Sequence, residues 1–228
     1  SEIPTLILEN NLFGCDIDKR ASTLANFALT MKARLYHRRF FKKPTNANII
    51  ELQEFGTQEF KGIKNFGSLL APKDIQSFDD GIFSQSNAQY DLQLKILTST
   101  YSCVVTNPPY MGGKGMNAEL GDFVKNKYPD SKSDLFAVFM ERGFEITKDL
   151  GYMAMITMQS WMFLSSYEKM REKLLKNYSI STMAHLDNMV MGIAFGTSAT
   201  VFNKKKPDAN TKGVYFKINL DDLDENRE

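Results

Sequence analysis

Asn107-Pro108-Pro109-Tyr110 follows the apolar run Tyr101 to Val105 and precedes the glycine-rich stretch Met111-Gly112-Gly113-Lys114-Gly115. Consecutive prolines can neither continue a helix nor donate to a sheet ladder, so the chain must leave a strand abruptly on a stiff backbone. That places an amide side chain, unpaired carbonyls and an aromatic ring at a strand's carboxyl end, where open α/β sheets bind ligands. An exocyclic amine on a flat ring needs such groups. Its lone pair is delocalised, and it becomes nucleophilic when acceptors hold both hydrogens and draw the nitrogen towards a tetrahedral shape. The Asn107 side-chain oxygen and the Pro108 carbonyl can each accept one hydrogen, and Tyr110 can stack on the ring. This is positioning and electrostatic preorganisation, with no strong general base. The plainer alternative is a strand ending in a Pro-Pro turn, with Tyr110 packing at the surface.

Asn-Pro-Pro-Tyr after an apolar strand resembles the catalytic motif of S-adenosylmethionine-dependent amino-methyltransferases, chiefly those acting on N6 of adenine in DNA. The resemblance runs from Leu12 to about Asn203 and is nearest to the large methyltransferases of type IIG restriction-modification and BREX-type phage-exclusion systems. It implies an α/β fold, a Rossmann-like class I methyltransferase sheet with helices on both faces. The implied substrate is double-stranded DNA with a flipped adenine, because a paired adenine cannot reach such a slot. It also implies a cytoplasmic enzyme with defence-system partner proteins.

Other segments take roles from the same resemblance. Leu12 to Asp18 reads as a strand ending in acids, followed by a helix from Lys19 to Arg39. Asp16 is then the ribose ligand of S-adenosylmethionine and Ile17 packs on its adenine, while Asp18 caps the helix. The plainer alternative makes both acids a helix start. Asn48 to Phe55 reads as a short strand whose Glu54 and Phe55 match the pair that meets the cofactor's adenine; an exposed glutamate beside a core phenylalanine fits as well. Asp134 to Ile146 has helical spacing and Gly151 to Thr157 reads as a buried strand. Asp134 and Phe136 are cofactor-pocket candidates, against an N-cap and a core face. Phe195, ahead of a strand Thr197 to Phe202, is the candidate that stacks on the base opposite Tyr110, with core packing as its alternative.

One family feature is absent. The glycine-rich loop that holds the cofactor's methionine part belongs upstream of Asp16, where only the helix-like Ile3 to Leu8 region stands. Gly112, Gly113 and Gly115 follow the catalytic strand and cannot replace it. The expectation is a partial catalytic domain over 1–220, lacking its first strand and glycine loop, with an insertion at about 56–100 and an acidic tail at 221–228. The missing strand would lie between those carrying Asp16 and Asn107, so weak cofactor binding is expected.

Composition agrees with a globular domain. The chain has 228 residues, 43% of them hydrophobic, long enough for a substantial core. No apolar run reaches membrane-spanning length. Cys15 and Cys103 fall in predicted buried strands and read as reduced core thiols. With two histidines, nothing has metal-ligand spacing. A net charge of +1 leaves no nucleic-acid footprint on the whole domain, although Lys32, Arg34, Arg38, Arg39, Lys42 and Lys43 form a basic run. Pro72 and the Ser77 to Gly81 turn fall in the insertion, as does a helix at Tyr90 to Leu97. Met111 to Ser133 reads as a long loop, either a lid whose Lys114, Lys125 and Lys127 approach a phosphate or a disordered surface loop. Lys169 to Lys176 reads as part of a basic helix. The alternatives in function are an amino-methyltransferase of glutamine or an RNA base, and a non-catalytic DNA-holding or assembly module.

Overall fold

The computed structural model describes residues 2–43, 45–71 and 87–223. Pro72, the Ser77 to Gly81 turn and most of the acidic tail lie outside them. The chain divides into two compact units, 1–99 and 100–228, whose strands belong to separate sheets.

The first unit runs α1 (Ile3–Asn10), β1 (Phe13–Asp16), α2 (Lys19–Tyr36), β2 (Asn48–Glu51), α3 (Ile63–Phe66) and α4 (Ala88–Thr98). α2 starts where the sequence places it, because the Asp18 carboxylate accepts the Arg20 N–H at 2.7 Å and so satisfies a donor left over at the helix start. β1 and β2 are parallel, with Asp16 opposite Glu51 at their carboxyl ends. Alternation along β2 covers both faces of this sheet. Ile49 packs with Leu8, Ala33 and Phe40 beneath α1 and α2, and Ile50 packs with Phe60, Ile63, Ile96 and Leu97 beneath α3 and α4.

The second unit runs β3 (Tyr101–Thr106), α5 (Ala118–Lys127), α6 (Leu135–Ile146), β4 (Thr147–Met158), α7 (Glu168–Asn177), β5 (Ser179–Leu186), β6 (Thr197–Asn203) and β7 (Val214–Ile218). Its sheet has the order β3-β4-β6-β5-β7. β3 and β4 are parallel, and β6 is antiparallel to both β4 and β5. Phe136, Ala137, Met140 and Phe144 of α6 press on Met153, Met155 and Phe202, and α7 adds Met170 and Leu174. Contact between α6 and β4 is close enough that a Cβ on Gly143 would run into the Met153 side chain.

Two expectations need correction here. Cys103 is exposed rather than buried, because it lies on the face of β3 turned away from α6, beside exposed Val105 and opposite exposed Tyr152. Met111 to Ser133 is no featureless loop. It contains α5, capped by the Asn117 side chain, whose buried Leu120 and Val124 lead to buried Tyr128, spaced as one helical face requires. Burial pushes the Tyr128 hydroxyl well above the ordinary phenol range.

Candidate active site

Asn107 is the first residue beyond β3, and the chain continues through buried Pro108 and exposed Pro109 to half-buried Tyr110. Asn107 is exposed. Tyr110 is tightly placed. Its hydroxyl donates to the Ile156 carbonyl of β4 at 3.2 Å, and burial pushes its phenol above the ordinary range. Phe136 stands behind it, ring centroids 6.2 Å apart at 90°. Phe195 meets it on another side at 5.7 Å and 70°. The two aromatic residues picked from sequence therefore touch, edge to face, at the end of β3 and before β6.

Phe136 itself has no accessible surface. Its ring meets Tyr110 and Tyr167, so it supports the Asn-Pro-Pro-Tyr loop from within the core. Asp134 is the N-cap of α6, its Oδ1 accepting the Phe136 N–H at 3.3 Å and the Met111 N–H at 2.9 Å. The Leu135 N–H donates back to the Met111 carbonyl at 3.0 Å and the Gly113 N–H to the Ser133 carbonyl at 3.1 Å. Burial raises the Asp134 carboxyl, against the lowering effect of these N–H groups.

Gln159 and His185 were not foreseen. Gln159 follows β4, beside the start of β6, and its N–H donates to the Gly196 carbonyl at 3.0 Å. Its side-chain oxygen lies 2.5 Å from His185 Nε2, and a Cβ on Gly196 would fall 2.6 Å from its amide carbon. This amide therefore fits against the glycine that follows Phe195. No local pattern marks it, because the pairing of β5 with β6 creates the neighbourhood.

In the first unit, the other candidates gather at the carboxyl end of the β1–β2 pair. Asp16 is exposed, with Oδ1 accepting the Asp18 N–H at 2.7 Å. Ile17 is exposed, and its carbonyl accepts Lys64 Nζ at 3.1 Å; Lys64 also pairs with Glu51 at 2.6 Å. Glu54 is exposed and accepts the Gly62 N–H at 3.2 Å. Phe55, at φ 50°, packs tilted against Phe60 and edge-on against Tyr90. Among the described residues, no group of three or more His, Cys, Asp or Glu is placed to hold a metal, and no helix is long and apolar enough to cross a membrane.

The sequence profile of the Eco57I restriction-modification methylases matches residues 10–190. The chain belongs to that family. The chain is 37% identical to the adenine-specific methyltransferase BrxX of Escherichia coli O9:H4 (strain HS), over 99% of its own length and 24% of that protein. It is also 37% identical to the adenine-specific methyltransferase PglX of Lacticaseibacillus casei (strain Zhang), over 88% of this chain and 20% of that protein. It thus spans less than a quarter of these relatives' lengths. The DrdV–DNA complex shares its fold with a TM-score of 0.60 at 12% identity, over 94% of this chain and 22% of that one. The type ISP restriction-modification enzyme LlaBIII bound to DNA does so at 0.58 and 16%, over 94% and 15%. The fold class is accordingly that of restriction-modification methyltransferases, as the sequence implies.

Proposed function

We propose that this chain is the catalytic portion of a site-specific DNA methyltransferase, acting on N6 of a flipped adenine in restriction-modification or phage defence. The observation that carries this reading is the convergence of Asn107, the Pro108 carbonyl, Tyr110 and Phe195 at the carboxyl end of β3, in a chain 37% identical to two adenine-specific methyltransferases.

The chain's own groups perform three tasks in this mechanism. The Asn107 oxygen and the Pro108 carbonyl accept the two hydrogens of the adenine amine, concentrating its lone pair on nitrogen. Tyr110 and Phe195 take up the extruded base, for which their edge contact must part, since a base needs both ring faces. The Ile156 hydrogen bond and the buried Phe136 ring fix Tyr110 so that little ordering remains at capture.

Asp16, Ile17, Glu54 and Phe55 suit the adenosine half of S-adenosylmethionine. An exposed carboxylate at a strand end can accept two ribose hydroxyls, and Ile17 offers apolar surface beside it. Asp134 and Phe136 are cofactor-pocket candidates by resemblance alone, while the Asp134 carboxylate serves the Met111 and Phe136 N–H groups. The cofactor supplies an electrophilic methyl group on a sulfonium. Among the described residues β3 stands at the end of its sheet, with β4 its partner there. That end position supports the expectation that a further strand of the longer protein, with its glycine loop, belongs beside it.

The deciding experiment is methylation of an adenine-containing duplex by the full-length protein with radiolabelled S-adenosylmethionine, with nucleoside analysis of the product. N6-methyladenine is the expected product. Methylated glutamine or RNA in place of DNA would move the reading to the related amino-methyltransferases, and transfer to nothing would leave a DNA-holding module.

A further inference from the structure

α2 has a mixed inward side and an apolar outward stripe. Ser22, Asn26, Leu29 and Ala33 fall on one side at about 100° per residue, and this side faces its own unit: Ser22 and Ala33 are buried, and the Asn26 amide donates to the Ile49 carbonyl at 2.8 Å. Leu24, Phe27, Met31 and Leu35 fall on the opposite side, with exposures of 67%, 61%, 43% and 76%. A surface helix with one partner needs one apolar stripe. Four large apolar side chains spaced three, four and four residues apart, on the outward side, form the narrow seam of helix-on-helix packing.

We propose that this seam docks an amphipathic helix whose flanks are acidic. The charge pattern selects that occupant. α2 contains Lys19, Arg20, Lys32 and Arg34 and no acid. Arg20 is engaged with Asp18 at 3.1 Å. Lys32 and Arg34 lie on the two flanks of the seam, each over an aromatic ring, Tyr36 and Phe41, and neither joins an ion pair among the described residues. Glutamates flanking the partner's apolar stripe would meet them as in paired helices. A second copy of the chain would bring the same cations together, which charge disfavours. DNA would leave the four apolar groups without a matching surface. An anionic lipid surface suits the cations, but interfacial helices present a broader apolar face than this seam.

The test uses the 228-residue chain and a fluorescent helical peptide of about three heptads, with leucine at the seam positions and glutamate at both flanks. Anisotropy titration should show saturable binding that weakens about tenfold or more when the flanking glutamates become lysines, and likewise in Phe27→Ser and Leu35→Ser. Both side chains are exposed, so both variants should keep the parent's circular dichroism and melting temperature. Binding that ignores the peptide's charge, or persists in both variants, overturns the proposal. So would Phe27-dependent flotation with phosphatidylglycerol vesicles, which points to a membrane, or a Phe27-dependent dimer by sedimentation, which points to a second copy.

Discussion

The carboxylate of Asp134 holds the backbone N–H of Met111 at 2.9 Å, so the residue that starts α6 also ties down the chain leaving the Asn-Pro-Pro-Tyr motif. The Leu135 N–H closes the link through the Met111 carbonyl. One aspartate thus serves as helix cap and loop anchor at once. Asp134→Ala should lose both accepted hydrogen bonds and lower stability by about 1–3 kcal/mol, while Asp134→Asn keeps an acceptor oxygen and most of the stability. Equal melting temperatures for the parent and the alanine variant would refute the anchor.

The same carboxyl sets a pH dependence. Burial raises it above its ordinary value of 3.8, so the folded state holds this proton more tightly than the unfolded chain does. Stability from this group is present below pH 3.8 and is lost as pH rises through the folded value. Relative to Asp134→Asn, the parent should therefore lose stability as pH climbs above 3.8. Chemical denaturation of both proteins across that range measures the difference, and parallel curves would show that the carboxyl is not perturbed.

Tyr110 and Phe195 meet edge to face at 5.7 Å, which leaves no slot until they separate. In the longer enzyme, Tyr110→Ala and Phe195→Ala should each weaken capture of a 2-aminopurine placed at the target adenine, by about 1–3 kcal/mol per lost stacking face. Cofactor affinity should be unchanged. Full fluorescence enhancement by the Phe195 variant would confine that ring to core packing, and the same result for Tyr110 would do so for Tyr110.

Much of this arrangement was legible because it is encoded locally. The apolar run before Asn107, the Pro-Pro break and the Asp18 cap fix β3, the motif loop and the start of α2 through backbone sterics and hydrogen bonding alone. The α6–β4 succession was readable from its change of period. β5 and β7 were not: β5 is half-buried along most of its length and β7 exposed, so neither alternates cleanly. α5 was hidden by the glycines and lysines around it, although Asn117 and the Leu120–Val124 spacing mark it. Exposure of Cys103 depends on what covers the outer face of β3, a tertiary property that composition does not carry. The Gln159–His185 contact depends on β5–β6 register and has no sequence signal at all.

Gly196 lets the Gln159 amide sit where any side chain would stand, since a Cβ there falls 2.6 Å from that amide. Gly196→Ala should displace the amide from His185 and shift the adjoining Phe195. The expected result is weaker 2-aminopurine capture with unchanged cofactor affinity. His185→Gln, which can still hydrogen-bond the Gln159 side chain, should be milder than His185→Ala. If all three behave as the parent does, Phe195 is positioned by its own packing.

Asn107 and Asp16 separate chemistry from cofactor binding. Asn107→Ala removes an acceptor whose hold on the amine strengthens as the nitrogen becomes tetrahedral, so turnover by the longer enzyme should fall by on the order of 10²–10³-fold or more. Because that interaction belongs to the transition state, cofactor affinity should stay near normal. Asp16→Ala should do the reverse in binding, raising the S-adenosylmethionine dissociation constant about tenfold or more through loss of charge-assisted hydrogen bonds worth roughly 1.5–3 kcal/mol. Calorimetric titration and single-turnover methylation on both variants read the two effects apart. Undiminished turnover without the Asn107 amide would sink the proposed mechanism, whereas unchanged affinity in Asp16→Ala would remove only the ribose assignment, since the β1–α2 junction has its cap in Asp18 regardless.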